Sequence, residues 1–243
     1  MRETSELYRT LVSNINHSFE SKLIISSQSD SESSESKHEI DKSNLYSINT
    51  KLNVFSSNKF SIGNCVSGQI KIVMKYPPFQ IQSASKLVPY VRVTNGIESS
   101  EWIKKGEFFI DTRKADPVEF INRKLTLTGY DAMLRAEQDY SSSTLSWPAL
   151  DVDVVLEIAK AMNVNLETNT LNKLNKRYRI NVPFEYTCRE TLSYIAIMYG
   201  GWWIINDLGE LRLITVSDIP KDTRLLVDNQ GNRITFGGVR IRV

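Results

Sequence analysis

The stretch from Tyr186 to Ile214 leaves the backbone less freedom than any other part of this sequence. Thr187 and Glu190 stand at capping-box spacing, in which each side chain satisfies an orphan amide at a helix start. Leu192, Ile195, Ala196 and Tyr199 then recur at i, i+3, i+4 and i+7, the signature of a half-buried helix. Gly200 and Gly201 supply a left-handed stop. Trp202 to Asn206 reads as a strand, Asp207 to Glu210 as a turn, and Leu211 to Ile214 as the returning partner. A helix laid on a hairpin follows. Adjacent Trp202 and Trp203 must point to opposite faces of their strand. One is expected against the helix, and the other at an interface, where tryptophan is enriched.

Upstream the period changes from helical to alternating. Glu3 to Val12 predicts a short amphipathic helix with Leu7 and Leu11 on one face, and Ser18 to Ser26 a strand. Ser27 to Lys42 is dominated by Ser, Asp and Glu and reads as a solvated loop, with His38 inside it. From Leu45 to Gly129, Ile70, Ile72 and Met74, then Val91 and Val93, then Leu125 and Leu127 alternate with polar neighbours. Pro77-Pro78 and Asn95-Gly96 break these runs. The pattern predicts antiparallel sheet with one wet face, enough to close a small barrel or pack a sandwich. After Gly129, Tyr130 to Gln138 reads as a short helix. Asp151 is expected to cap the next, whose face is Val152, Val155, Leu156, Ala159 and Met162. Residues 166–179 are ambiguous between a broken helix and an extended link. The last residues return to strand character, with Phe236, Val239, Ile241 and Val243 on alternating positions.

The 243 residues, 41% of them hydrophobic, suffice for one large or two modest cores. A formal charge of +2 gives no electrostatic case for a nucleic-acid binder. Cys65 and Cys188 are far apart and outside any CxxC, so a zinc site or disulfide framework is not indicated. His17 and His38 lack the fixed neighbours a general base needs. Glu35, His38, Glu39 and Asp41 are read as solvated rather than as a metal site, and no cofactor or metal is expected. Glu137, Asp139 and Glu185 lack the Gly and aromatic setting of a glycan cleft. Lys173, Lys176, Arg177 and Arg179 around Tyr178 read as a solvated basic link. No apolar run is long enough to span a membrane or resembles a signal peptide, so folding in a cytoplasm is expected.

Several segments together resemble a known family. The helix, GG, aromatic strand and D-x-G-x-L order of residues 186–214 is similar to that of baseplate hub and tail-tip proteins of Gram-positive phages and phage-like particles. Residues 125–138, followed by Tyr140 and Trp147-Pro148, resemble that family's strand, GYD-A-helix and aromatic-Pro passage. Residues 60–70 and 106–113 resemble its F-x-IGN and G-x-F-x-ID strands. The resemblance implies a β-rich α+β chain. It has an N-terminal arm (1–17), an antiparallel β-barrel (18–129, with the loop at 27–42), an α+β domain (130–216), and return strands (217–243) opening a second barrel. It implies a contractile-tail virion part, not an enzyme: a homotrimer that joins tail tube protein to spike protein around a lumen for DNA, with no sequence-specific nucleic-acid contact. Interface residues expected on this basis are Trp102, Trp202, Trp203, Phe236, Val239, Ile241 and Val243. The alternatives are a cell-wall carbohydrate-binding module stacking sugars on Trp102 or Trp147, and a cell-wall hydrolase fragment.

Overall fold

The computed structural model describes residues 4–28, 35–52, 61–83, 85–116, 123–141, 143–174, 178–218, 235–236 and 239–240. A short helix α1 (Glu6–Ser13) precedes eight strands: β1 (Ser18–Gln28), β2 (Glu35–Ile40), β3 (Leu45–Lys51), β4 (Gln69–Lys75), β5 (Lys86–Thr94), β6 (Ile103–Lys104), β7 (Phe108–Ala115) and β8 (Lys124–Tyr130). They form one antiparallel sheet in the order β2-β1-β5-β7-β8-β4-β3, with β6 added beside β5. Alternation puts Ile70, Ile72, Met74, Leu125 and Leu127 inside, each fully or almost fully buried. The sequence pattern is less clean on β5, where Val93 is buried but Val91 is only half-buried.

The expected closed barrel is not formed among the described residues. The hydrogen-bonded path has two ends, β2 and β3. Yet Ile40 from one end and Leu45 and Ile48 from the other pack into the same core as Leu23, Ile72 and Leu127. The sheet therefore curls around a single apolar centre. Strands β5 and β7 pair only at Lys86↔Phe109 and Leu87↔Phe108. The two free edges are consecutive in the chain, tied by the turn at residues 41–44. Asp41 Oδ1 accepts from the Ser43 N–H, the Ser43 hydroxyl and the Asn44 amide there. The result is a curled sheet with an unzipped seam.

Strand β2 corrects the reading of residues 27–42 as a loop. Residues 35–40 pair antiparallel with β1, from Leu23↔Ile40 to Gln28↔Glu35. The segment is polar because it is an edge strand needing one buried anchor, Ile40. His38 accordingly sits on a strand and stacks on Phe79 at 3.7 Å.

The second half builds around its own buried cluster. A 3-10 turn (Ala132–Glu137) replaces the expected helix after Tyr130, with Asp131 as its cap. Then come β9 (Ala149–Leu150), α2 (Asp151–Ala161), α3 (Thr168–Lys173) and β10 (Arg179–Ile180), followed by α4 (Cys188–Met198), β11 (Gly201–Ile205) and β12 (Leu211–Thr215). Helix α3 and strand β10 resolve the ambiguous stretch. Asp151 is the first residue of α2, not its cap, which is Leu150. Its buried carboxylate accepts from the Val152 N–H at 2.9 Å and the Tyr199 hydroxyl at 2.5 Å. That anchor turns the helix so that Val154, Val155, Ile158, Ala159 and Met162 face inward, while Leu156 is 43% exposed. Of the expected face, Val155, Ala159 and Met162 are buried, while Val154 and Ile158 take the inward places expected for Val152 and Leu156.

Helix α4 and the β11–β12 hairpin form as predicted. Both halves of the Thr187/Glu190 capping box are made, and Gly200 takes φ +65° at the helix end. Gly201 is required for a different reason: a Cβ there would lie 2.1 Å from the Ile214 carbonyl oxygen on the paired strand. Gly201→Ala is expected to cost about 2–3 kcal/mol by forcing the strands apart. Gly200→Asn, with open space around it and tolerance of the left-handed region, should stay near neutral. Urea unfolding of the two variants checks the contrast. Near the C-terminus a small hairpin, β13 (Thr235–Phe236) with β14 (Val239–Arg240), is present. Ile241 and Val243 lie outside the described residues, as does most of the segment read as a second barrel. No helix among the described residues is long and apolar enough to cross a membrane.

Candidate interaction surfaces

The residues expected at interfaces separate into three groups. Trp102 is partly exposed beside β6, with the Arg92 guanidinium 4.5 Å and the Lys22 ammonium 4.8 Å from its ring. Those cations pair in turn with Glu20 at 2.7 Å and Glu39 at 3.0 Å. This is a charged, aromatic-centred face on the β1–β5 surface.

Trp202 and Trp203 form the second group, and both are buried, 6% and 1% exposed. Trp203 faces α4 and donates its Nε1–H to the Leu192 carbonyl at 2.8 Å. Trp202 points the other way, as alternation requires, yet it is not open to a partner. The hairpin leans on the curled sheet instead of standing free. Its tip is held by Lys104 Nζ donating to the Leu208 carbonyl at 3.0 Å, and by the Lys105–Asp207 pair at 3.9 Å. Phe236 and Val239, the third group, are cross-strand partners in the small C-terminal hairpin.

Where interface chemistry was not anticipated, the structure is more informative. The outer stripe of α4 carries Tyr194, Ile197 and Met198, which are 53%, 52% and 37% exposed. Tyr194 meets Tyr186 edge-on at 5.3 Å, and Ile62 adds a 41% exposed side chain. Since the inner stripe is also apolar, the C-terminal half of α4, from Tyr194 to Met198, is hydrophobic nearly all round. Such a helix normally has cover on both sides. The sequence signal was present in Tyr194, Ile197 and Met198, but the inner periodicity masked it.

A second unanticipated feature joins the segment 61–68 to the second half. Arg189, in the first turn of α4, donates to the carbonyls of Cys65 and Met133 and to the Ser67 hydroxyl, and pairs with Glu137 at 2.9 Å. Beside it, buried Asp131 accepts from the Gly68 N–H at 2.7 Å and the Met133 N–H at 3.0 Å. Burial pushes the Asp131 carboxyl up to about 7, against the pull of those two N–H groups and of Arg189. Arg189→Met would strip three acceptors of their donor, at an expected cost of about 3 kcal/mol. Arg189→Lys should not recover it, because an ammonium cannot reproduce the planar fork. Urea titration of both variants provides the measurement.

A polar cleft of about 760 Å³ lies where β5 and β7 diverge. Phe109 and Ile81 contribute its apolar part, and Lys86, Glu107, Arg113 and Arg135 its charge. Arg135 lies over the Phe109 ring at 4.0 Å and donates from Nη1 to the Met162 carbonyl. Arg113 donates to the Ile81 carbonyl.

Several side chains weighed for catalysis or as a basic link have other partners. His17 contacts the Asn14 carbonyl and the Phe19 ring. Glu137 pairs with Arg189, and Lys173 with Asp218 at 2.5 Å. Lys176 and Arg177 fall outside the described residues. Burial raises the Cys188 thiol pKa and pushes that of Cys65 up to about 12, leaving both free cysteines protonated. Among the described residues no group of three metal-ligating side chains converges.

No protein-family model and no curated protein matches the chain. In fold it is similar to the 43 kDa tail protein of prophage MuSo2 from Shewanella oneidensis, at 12% identity and a TM-score of 0.51. That likeness covers 86% of this chain and 58% of the other. The tail protein from Neisseria meningitidis MC58 aligns at 12% identity and TM-score 0.48, over 80% of this chain and 51% of that one. Prophage tail protein gp18 from Listeria monocytogenes EGD-e aligns at 10% and 0.43, over 87% and 64%. This chain therefore spans little more than half the length of the first two structures. At such identities the likeness is one of fold.

Proposed function

We propose that this chain is a structural subunit of a phage tail, a baseplate hub or tail-tip component that trimerises and links the tail tube to the central spike. The observation that carries the reading is the fold shared with the MuSo2 tail protein over 86% of the chain. The role acts by contact: copies surround a lumen for DNA, and sheet borders and helix faces meet a tubular neighbour. Two features support it. Among the described residues the curled sheet has two free edges, β2 and β3, for strand-to-strand contact. The outer stripe of α4 offers an apolar face suited to cover by a second protein.

The carbohydrate reading draws less support. Trp102 carries two cations over its ring, and Trp147 meets Tyr140 and Phe184 at 6.3 Å each, so neither ring is set apart for a sugar. An electron-microscopy reconstruction of the parent particle tests the proposal. Density for this chain between tube and spike, in three copies, is the expected result. Absence from the particle, or muropeptide release by the purified chain, would remove it.

A further inference from the structure

We propose that the outward face of β4 and β8, with its flanks on β3 and β7, is a contact surface for double-stranded DNA that grips phosphates without reading sequence. The contact deepens the assembly reading above and rests on it only for its place in the particle. Pairing register defines the face. Ile70, Ile72, Met74, Leu125 and Leu127 point inward, so alternation turns Lys71 and Lys75 of β4 and Lys124, Thr126 and Thr128 of β8 outward. Asn49 of β3 lies opposite Lys71, and Lys114 of β7 opposite Thr126. Arg123 immediately precedes β8.

Among the described residues none of these five cations is ion-paired. Lys75 and Lys124 are direct cross-strand partners, a like-charge pair of the kind that weakens a sheet and that an external anion relieves. Aromatic neighbours position two of the cations without discharging them. Lys124 Nζ is 5.0 Å from the centre of the Tyr46 ring, and the Arg123 guanidinium is 4.0 Å from that of Tyr76. Two acids stand near: Asp116 accepts the Lys124 N–H at 3.2 Å, and Asp111 lies at the bulge between Ile110 and Thr112. Five cations against two acids leave the face positive.

No other part of the chain supplies the missing anions. Segments 53–60 and 117–122, which follow β3 and join β7 to β8, carry one cation and one acid, Lys59 and Glu119. The acidic run 29–34 connects β1 to β2, while β8 and β4 stand three and four strand spacings from β1, about 14 and 19 Å along the sheet. The formal charge of +2 averages over this concentration and hides it.

The chemistry favours a phosphate backbone over other polyanions. Ammonium groups interleaved with the hydroxyls and amide of Ser47, Asn49, Thr112, Thr126 and Thr128 are the donors that meet phosphate oxygens. Lysine is depleted in protein–protein contacts, so an acidic protein face matches this composition less well. Of the outward side chains of β4 and β8 only Val73 is aliphatic, and it is half-buried, which leaves a lipid surface nothing to take up. Lys71 and Lys75 are about 13 Å apart along β4, comparable to the roughly 12 Å width of the major groove, so cations can reach phosphates on both of its sides.

Fluorescence anisotropy of the full chain with two labelled duplexes of unrelated sequence, across a salt series, is the test. The wild type should bind both alike, with log affinity falling against log salt at a slope of about −4. Lys75→Glu with Lys124→Glu should weaken binding at least about tenfold and flatten the slope by about 2. Arg9→Glu with Lys160→Glu changes net charge equally at exposed sites on α1 and α2, and should alter affinity by at most about twofold. Lys75→Glu alone guards against misfolding, because it sets an acid opposite Lys124: thermal stability should hold or rise while DNA affinity falls. No binding at low salt, a preference for one sequence, an equal loss in the α1/α2 control, or binding to phosphatidylglycerol vesicles in place of the duplex overturns the proposal. None of these outcomes bears on whether the chain lies between tube and spike, which the particle reconstruction decides independently.

Discussion

Trp203→Ala is expected to destabilise the chain by about 4 kcal/mol, the upper part of the range for deleting a buried aromatic. The side chain is 1% exposed and sits in the cluster with Leu192, Ile195, Leu211 and Leu213. Its indole N–H also holds the Leu192 carbonyl at 2.8 Å, so truncation leaves a cavity and removes the link between hairpin and α4. The segment before β4 is affected too, since the Trp203 N–H donates to the Asn64 carbonyl at 2.9 Å and Cys65 forms an isolated parallel bridge with Trp203. Trp203→Phe, which keeps most of the volume and loses the donor, should cost about 1–2 kcal/mol. Urea unfolding followed by far-ultraviolet circular dichroism measures both. A cost below about 1 kcal/mol for the alanine variant would mean that the helix is not seated on the hairpin.

The second large effect is a pH dependence written into Asp131. Its ordinary value is 3.8 and burial pushes it up to about 7. Below pH 3.8 the carboxyl is protonated in folded and unfolded chains alike, and it favours neither. As pH rises from there towards 7, the unfolded chain releases its proton while the folded chain keeps it. Stability therefore falls across this window and levels off above it. The full span corresponds to at most about 4 kcal/mol, since each pH unit between the two values is worth roughly 1.4 kcal/mol. Asp131→Asn removes the slope. The Gly68 and Met133 N–H groups reach different carboxyl oxygens, so in the amide one of them faces the NH2 group instead of an acceptor. The variant should accordingly be less stable than wild type by about 1–2 kcal/mol at pH 4.5, and equal or better at pH 8. Curves that run parallel from pH 4.5 to 8 would contradict the raised carboxyl.

The origin of each feature explains what could be read from the sequence. The capping box, the α4 stripe and the turn at Gly209 were legible because each depends on residues within one or two turns of chain. Strands β4 and β8 were legible because one face of each is dry and the other wet, so alternation reports burial directly. Strand β2 was not, because an edge strand with one buried residue has almost no hydrophobic pattern. Its existence comes from its hydrogen-bonded neighbour, β1. The candidate surfaces followed the same division. The burial of Trp202 and the cation-rich cleft needed the two halves packed together.

Local chemistry in this chain thus dictates where helices and strands begin, end and turn, since caps, glycines and alternation act over a few bonds. Contacts across the chain decide everything that depends on direction. Asp151, held by Tyr199 48 residues away, sets which face of α2 is inward. Arg189, reaching Cys65 across 124 residues, joins the segment before β4 to α4. The curl of the sheet brings Ile40 and Ile48 to one core without joining their strands. Such partners are chosen by three-dimensional proximity, and no periodicity along the chain encodes it.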